Sequence, residues 1–157
     1  MLKYLTISAI IIGLDQATKW LMVSWLALYE TVAIMPYFNL TMAHNHGAAF
    51  SFLAQAGGWQ RWFFIVLALV ISTVLVVWLA KLKPEAKLEA ISLSLILGGA
   101  IGNVIDRIYY GYVIDFLDIY IGSSHWPAFN VADSAICIGA VLLIIDSFKS
   151  EPESQTS

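Results

Sequence analysis

The chain is 157 residues long, 60% hydrophobic and only 12% charged, with a formal net charge of −3. Soluble domains carry about a quarter charged residues, so this composition suits a bilayer rather than water as its solvent. The mildly negative balance, with no basic run, lacks the electrostatic footprint of a nucleic-acid binder. A single cysteine, Cys137, excludes an internal disulfide.

Four stretches approach the roughly 20 apolar residues that cross a membrane. The first runs from Leu2 to about Leu28 and is interrupted by Asp15 and Lys19. A cleavable signal peptide needs an uninterrupted apolar core and a small-residue cleavage site, and neither follows here. The segment from about Tyr29 to Gln60 comes next, and within it Phe38-Asn39-Leu40-Thr41-Met42 alternates apolar and polar residues as a half-buried strand does. Trp62 to Ala80 is apolar without a charge, Leu88 to Tyr109 follows, and a shorter connection from Tyr110 to Ala128 leads to Phe129–Phe148. The fold expected is an all-α membrane protein of four transmembrane helices with a small extracytoplasmic β-strand element. Residues 1–149 read as one domain, and the polar tail Ser150–Ser157 reads as a disordered cytoplasmic tail.

If the four spans alternate, Lys3, Lys81, Lys83, Lys87 and Lys149 all fall on one side, which the bias of basic residues makes cytoplasmic. Both termini are then inside. Trp25, Trp59, Trp62 and Trp126 fall near the opposite interface, where aromatic belts sit.

The polar residues within the spans are Asp15 and Lys19 on the first, Asn103, Asp106 and Arg107 on the third, and Asp133 at the start of the fourth. All lie towards the outer ends. Charge at such depth is costly unless it pairs or lines a functional cavity, so convergence from three helices predicts one polar cavity at the outer interface. Plainer roles stand beside that one. Asp15 and Lys19 are an i,i+4 pair that can neutralise itself. Asp106 beside Arg107 can be a compensated pair. Gly98 and Gly102 form a GxxxG helix-packing pattern that is common by chance. Arg107 suits anchoring a carboxylate or carbonyl, because a guanidinium does not give up its proton.

Asn130-Val-Ala-Asp133 has the spacing of a helix N-cap with an acid reaching back, and Asp115 competes with Asp118 as a loop carboxylate. What favours chemistry is placement. Asp115 follows the third helix, Asp133 opens the fourth, and the short loop between lets them meet at small closure cost. Two carboxylates at a water-poor boundary do not both ionise easily, and a pair with separated proton affinities is what an aspartic peptidase needs. Competing chemistries are a metal site from His44, His46 and His125, and a serine–lysine dyad of Ser134 with Lys19. Cys137 has no histidine near it in the pattern and reads as core packing.

The segments Asp15-Gln-Ala-Thr-Lys19, Asn45-His-Gly-Ala-Ala-Phe50, Gly98-Gly-Ala-Ile-Gly-Asn103-Val-Ile-Asp106-Arg107, Val113-Ile-Asp115-Phe116 and Phe129-Asn130-Val-Ala-Asp133-Ser134 together resemble the motif set of the lipoprotein signal peptidases, also called signal peptidase II. The resemblance spans nearly the whole chain, in order. It implies a bacterial inner-membrane aspartic endopeptidase, with its active site towards the periplasmic face, that cuts prolipoproteins before a diacylglyceryl-modified cysteine. Asp115 and Asp133 are implied as the catalytic dyad. Asn45, Asn103, Arg107 and Asn130 are implied to line or brace the site, Asp15, Lys19 and Asp106 to support it, and Gly47 and Gly99 to permit close approach. Family members are blocked by the cyclic peptide globomycin. No metal or organic cofactor is expected, and a monomer in contact with membrane lipid is. The runner-up class is a small transporter or channel component. A conduction path needs polar residues continuing to the inner face, and the inner halves of the last three spans are almost wholly apolar.

Overall fold

The computed structural model describes residues 2–47 and 57–149, so Ala48, Ala49 and Phe50 of the second motif and the tail Ser150–Ser157, expected to be disordered, lie outside the described residues. In chain order the elements are α1 (Leu2–Trp25), β1 (Thr31–Met35), β2 (Phe38–Asn45), α2 (Trp59–Lys81), α3 (Lys87–Tyr109), β3 (Val113–Ile121), β4 (Ser124–His125) and α4 (Val131–Lys149). The protein is mostly helical, with a small antiparallel sheet in the order β1-β2-β3-β4.

α2, α3 and α4 are each long and apolar enough to cross a membrane. α1 has the length, 24 residues, but carries Asp15, Gln16 and Lys19 and does not stand with the other three on composition. α3 is the centre of the bundle: 61% of its apolar window is buried, against 22% for α2 and 17% for α4. The outward faces of α2 and α4 remain apolar and exposed, as lipid-facing helices require.

Glycines on α3 and α4 set the helix spacing. In a bilayer, helices gain by close van der Waals approach rather than by escaping water, so small residues mark the contacts. A Cβ at Gly98 would lie 2.9 Å from both Ile11 Cβ and Ser8 O of α1. One at Gly99 would collide with the main-chain oxygen of Ala132 on α4, and one at Gly102 would sit 2.6 Å from Asp15 Oδ2. The GxxxG pattern is therefore a true packing face, and Gly99 beside it serves the opposite contact.

The sheet is larger than the sequence suggests. β2 extends past Met42 to Asn45, and it pairs along its length with β3 in the connection where no strand was expected. β3 shows no period-2 signal because Val113, Ile114, Asp115 and Phe116 are all buried, Ile114 and Phe116 against the end of α1 and Asp115 against Asn130 at the start of α4. Met22 of α1 and Leu26 just past its end pack with Met42, Ile114 and Phe116, which seats the sheet on the end of that helix. A bridge between Leu117 and Phe129 then carries the chain from β3 to the first turn of α4. That crossing point brings the acid of β3 to the acid of α4. Cys137, expected in the core, is instead exposed on the outward face of α4.

Candidate active site

Asp115 lies on β3 opposite Ala43, two residues along from the Val113–Asn45 pair, so Asn45 is its diagonal same-face neighbour. Asn45 Nδ2 accordingly donates to Asp115 Oδ2 at 3.0 Å, and Asn130 Nδ2 donates to Oδ1 at 2.7 Å. Asp115 is buried. Burial first, and then the nearby charge of Asp133, push its carboxyl up from 3.8 to about 7, against the pull of the two amides and of Lys19.

Asp133 stands in the first turn of α4 and is partly exposed. Its Oδ1 accepts Asn103 Nδ2 at 2.7 Å, and its Oδ2 accepts the main-chain N–H of Asn130 at 3.3 Å. The N–H of Asp133 in turn donates to Asn130 Oδ1 at 2.9 Å. The N-cap reading is thus correct, and the capping acid also faces the site.

The remaining predicted residues gather around these two. Arg107 donates through its two terminal nitrogens to Gly47 O at 3.0 Å and Asn103 O at 3.3 Å, and its guanidinium lies over the Phe64 ring at 5.2 Å. It anchors a carbonyl, as its chemistry suggested, and tethers the end of the β2 segment to α3. Gly47 is held a second time, donating its N–H to Asn45 Oδ1 at 3.0 Å. Beneath the site, fully buried Lys19 is 2.8 Å from Asp15 and 2.9 Å from Asp106, and it donates to Asn103 Oδ1 at 3.0 Å. The plainer reading of Asp106 and Arg107 as a compensated pair is not what forms: Asp106 points away from its neighbour, towards Lys19 on α1. Adjacent residues on a helix project about 100° apart, so they seldom face each other.

Gln16 was not singled out from the sequence. Its Nε2 lies within hydrogen-bond reach of Asp106 Oδ1 at 2.9 Å, Asp15 Oδ2 at 3.1 Å and Gly102 O at 3.2 Å. One signal was available, since 15, 16 and 19 share a helix face and Gln is as poorly suited as a charge to a lipid-facing position.

The rival constellations are not assembled. Ser134 donates its hydroxyl back to Asn130 O at 2.9 Å, while the Lys19 ammonium donates to Asp15 and Asn103 and pairs with the charge of Asp106. His44 stacks on Tyr112 at 3.9 Å, whereas His125 Nδ1 lies 2.8 Å from Asp118 at the other end of the sheet. Among the described residues no three His, Cys, Asp or Glu side chains gather as a metal site. Asp118 also accepts Asn39 Nδ2 at 2.8 Å. Three residues along a strand from Asp115, it projects from the other face of β3.

Comparison with known proteins places the chain in a family. Residues 7–149 match the family model described as signal peptidase (SPase) II. The lipoprotein signal peptidase of Alteromonas mediterranea is 54% identical over 149 residues, covering 95% of this chain and 82% of that one. That of Hydrogenovibrio crunogenus is 57% identical, covering 95% and 87%. Two solved structures of bacterial membrane enzymes, obtained by the in meso method at 2.3 and 1.9 Å, superpose with TM-scores of 0.85 and 0.81 at 30% and 31% identity. The first covers 100% of this chain and 96% of its own, the second 95% and 94%. A family model matched over nearly the whole chain, with relatives more than half identical, makes the chain a member of the signal peptidase II family, and so a protease.

Proposed function

We propose that this protease removes signal peptides from bacterial prolipoproteins by cleaving before the diacylglyceryl-modified cysteine, with Asp115 and Asp133 as an aspartic dyad. The observation that carries the reading is the pairing itself. Two carboxyl groups from different elements are each held by amide donors, close enough that the charge of Asp133 raises the proton affinity of Asp115. A carboxyl poised at about 7 exchanges its proton near neutral pH, which is where a general acid or base is most effective.

In this mechanism one carboxylate takes a proton from a water molecule as the water attacks the scissile carbonyl. The other, protonated, hydrogen-bonds the carbonyl oxygen as it gains charge and later passes its proton to the leaving amine. The pair titrates as a unit. Asn45, Asn103 and Asn130 keep both acids oriented, and Arg107 with Gly47 holds the end of the β2 segment over them. No covalent intermediate is formed.

The topology proposed with it has α1 as a fourth span, its polar residues turned into the bundle against α3. The lysines near the ends of α1, α2 and α3 put both termini in the cytoplasm and the sheet, with the dyad, at the periplasmic face of the inner membrane. A diacylglyceryl group left in the bilayer pins the adjacent peptide bond at interfacial depth, so the substrate arrives at the height of the dyad.

The test presents the purified full chain, reconstituted in a bilayer, with matched precursors that carry or lack the cysteine lipid. Cleavage of the lipidated precursor alone, leaving the modified cysteine as the new N-terminus and blocked by globomycin, is expected. Equal turnover of both precursors would remove lipid positioning, and cleavage at another bond would remove the proposed specificity.

A further inference from the structure

Asp15 and Asp106 sit on different helices, yet each grips the main chain one residue before a member of the proposed dyad. Asp106 Oδ2 accepts the N–H of Ile114, the residue preceding Asp115, at 3.0 Å. Asp15 Oδ1 accepts the N–H of Ala132, the residue preceding Asp133, at 2.9 Å. Lys19 stands between the two carboxylates, donating to the second oxygen of Asp15 at 2.8 Å and forming an ion pair with Asp106 at 2.9 Å. It also donates to Asn103 Oδ1, and an amide whose oxygen is so engaged must present its nitrogen elsewhere. That nitrogen donates to Asp133 Oδ1 at 2.7 Å.

We infer that Asp15, Lys19 and Asp106 are positioning residues: one buried ammonium clamps two carboxylates, and these set the separation and aim of Asp115 and Asp133 through the backbone beside each. The inference rests on the dyad assignment above.

Stability alone does not call for such a cluster. Three charged side chains, each at 2% exposure or less, have lost their water, and apolar packing of the same volume commonly serves a fold as well. What the cluster adds is direction, because charge-assisted hydrogen bonds are short and angularly demanding. It also lies where α1, α3, the start of β3 and the start of α4 meet, and the last two carry the acids. Gly102 leaves the space for Asp15, since a Cβ there would reach within 2.6 Å of its Oδ2. Catalysis is sensitive to this kind of support, with about 10²-fold lost for a displacement of about 1 Å.

The cluster also sets the field at the dyad, which makes the role separable from folding. The charged groups around the site are Lys19 and Asp15 on α1, Arg107 and Asp106 on α3, Asp133 on α4 and Asp115 on β3. Removing the charge of Asp15 or Asp106 leaves Lys19 less compensated and favours ionised dyad carboxyls. Removing Lys19 does the opposite.

The experiment measures kcat, KM, the pH dependence of kcat/KM and the melting temperature of the full-length enzyme with lipidated precursor, for Asp15→Asn, Asp106→Asn and Lys19→Met. We expect kcat to fall by at least about 10-fold with KM little changed. The alkaline limb of the pH profile should move to lower pH in both asparagine variants and to higher pH in Lys19→Met. A lowered melting temperature with kcat per folded enzyme and both limbs as in the parent would overturn the inference. If Lys19→Met does not fold, the two isosteric asparagine variants decide alone. Activity surviving in both Asp115→Asn and Asp133→Asn would instead strike the dyad reading, a separate outcome.

Discussion

Asn130 and Asp133 close on each other at the start of α4: Asp133 N–H donates to Asn130 Oδ1 at 2.9 Å, and Asn130 N–H donates to Asp133 Oδ2 at 3.3 Å. This capping box satisfies two main-chain donors that a helix start leaves open. The same two side chains keep working beyond it, since Asn130 Nδ2 reaches Asp115 and Asp133 Oδ1 receives Asn103. Capping and site geometry are one structure, so the two readings of this motif are compatible.

A substitution separates the two roles. Serine is as good an N-cap as asparagine but has no amide nitrogen to donate to Asp115. We predict that Asn130→Ser keeps the cap but loses the amide donor to Asp115, Asn103 and the Ile114 carbonyl, so turnover falls at least about 10-fold, whereas Asn130→Ala loses about 1 kcal/mol more stability than the serine variant. Parental turnover in the serine variant would show that the Asn130–Asp115 bond has no part in catalysis.

Asp115→Asn and Asp133→Asn are each predicted to lower cleavage by at least about 10²-fold while the protein still inserts and purifies. Asp118→Asn should act mildly, because Asp118 serves Asn39 and His125 on the opposite face of β3. Ser134→Ala should keep most activity, its hydroxyl being committed to Asn130 O. Turnover assays on the four variants suffice. A dead Asp118→Asn beside an active Asp115→Asn would move the dyad, and a trapped acyl-enzyme at Ser134 would end the aspartic mechanism.

The raised carboxyl of Asp115 predicts a stability cost that grows with pH. Its folded value of about 7 lies above the ordinary 3.8, so the folded state holds the proton more tightly than the unfolded state across that interval. The contribution is fully present below about pH 4 and is lost as pH rises through 7, with an upper bound of about 4 kcal/mol. Asp115→Asn cannot ionise. The melting-temperature difference, variant minus parent, should therefore rise from pH 5 to pH 8. A difference flat with pH would mean that burial and Asp133 do not raise this carboxyl.

Two glycines give a contrast on packing. Gly99→Ala would drive a methyl into the Ala132 carbonyl and against Ile136, pushing α4 and Asp133 away from α3. We predict a loss of about 1–3 kcal/mol together with most of the activity. Gly13→Ala on α1 meets nothing within 4 Å and should be neutral or stabilising by up to about 1 kcal/mol. Equal melting temperatures for the two variants would remove close approach at Gly99 as a determinant of the fold.

The sequence alone was enough for the membrane setting, the three long apolar helices α2, α3 and α4 and the strand around Phe38–Met42, because these depend on local composition and spacing. Hydropathy marks a span wherever it occurs, and a capping box is written within four residues. Tertiary structure decided what those patterns leave open. β3 is buried on both faces, so no alternation marks it. Asp115 and Asp118 look alike in the chain and are told apart by which strand face meets Asn45 and Asn130. Asp106 prefers Lys19, 87 positions away in the sequence, over the adjacent Arg107, because neighbouring helix residues point apart while packed helices bring distant ones together. The partners of a buried charge are set by the three-dimensional packing that excludes water from it, and that packing is not local to any stretch of the chain.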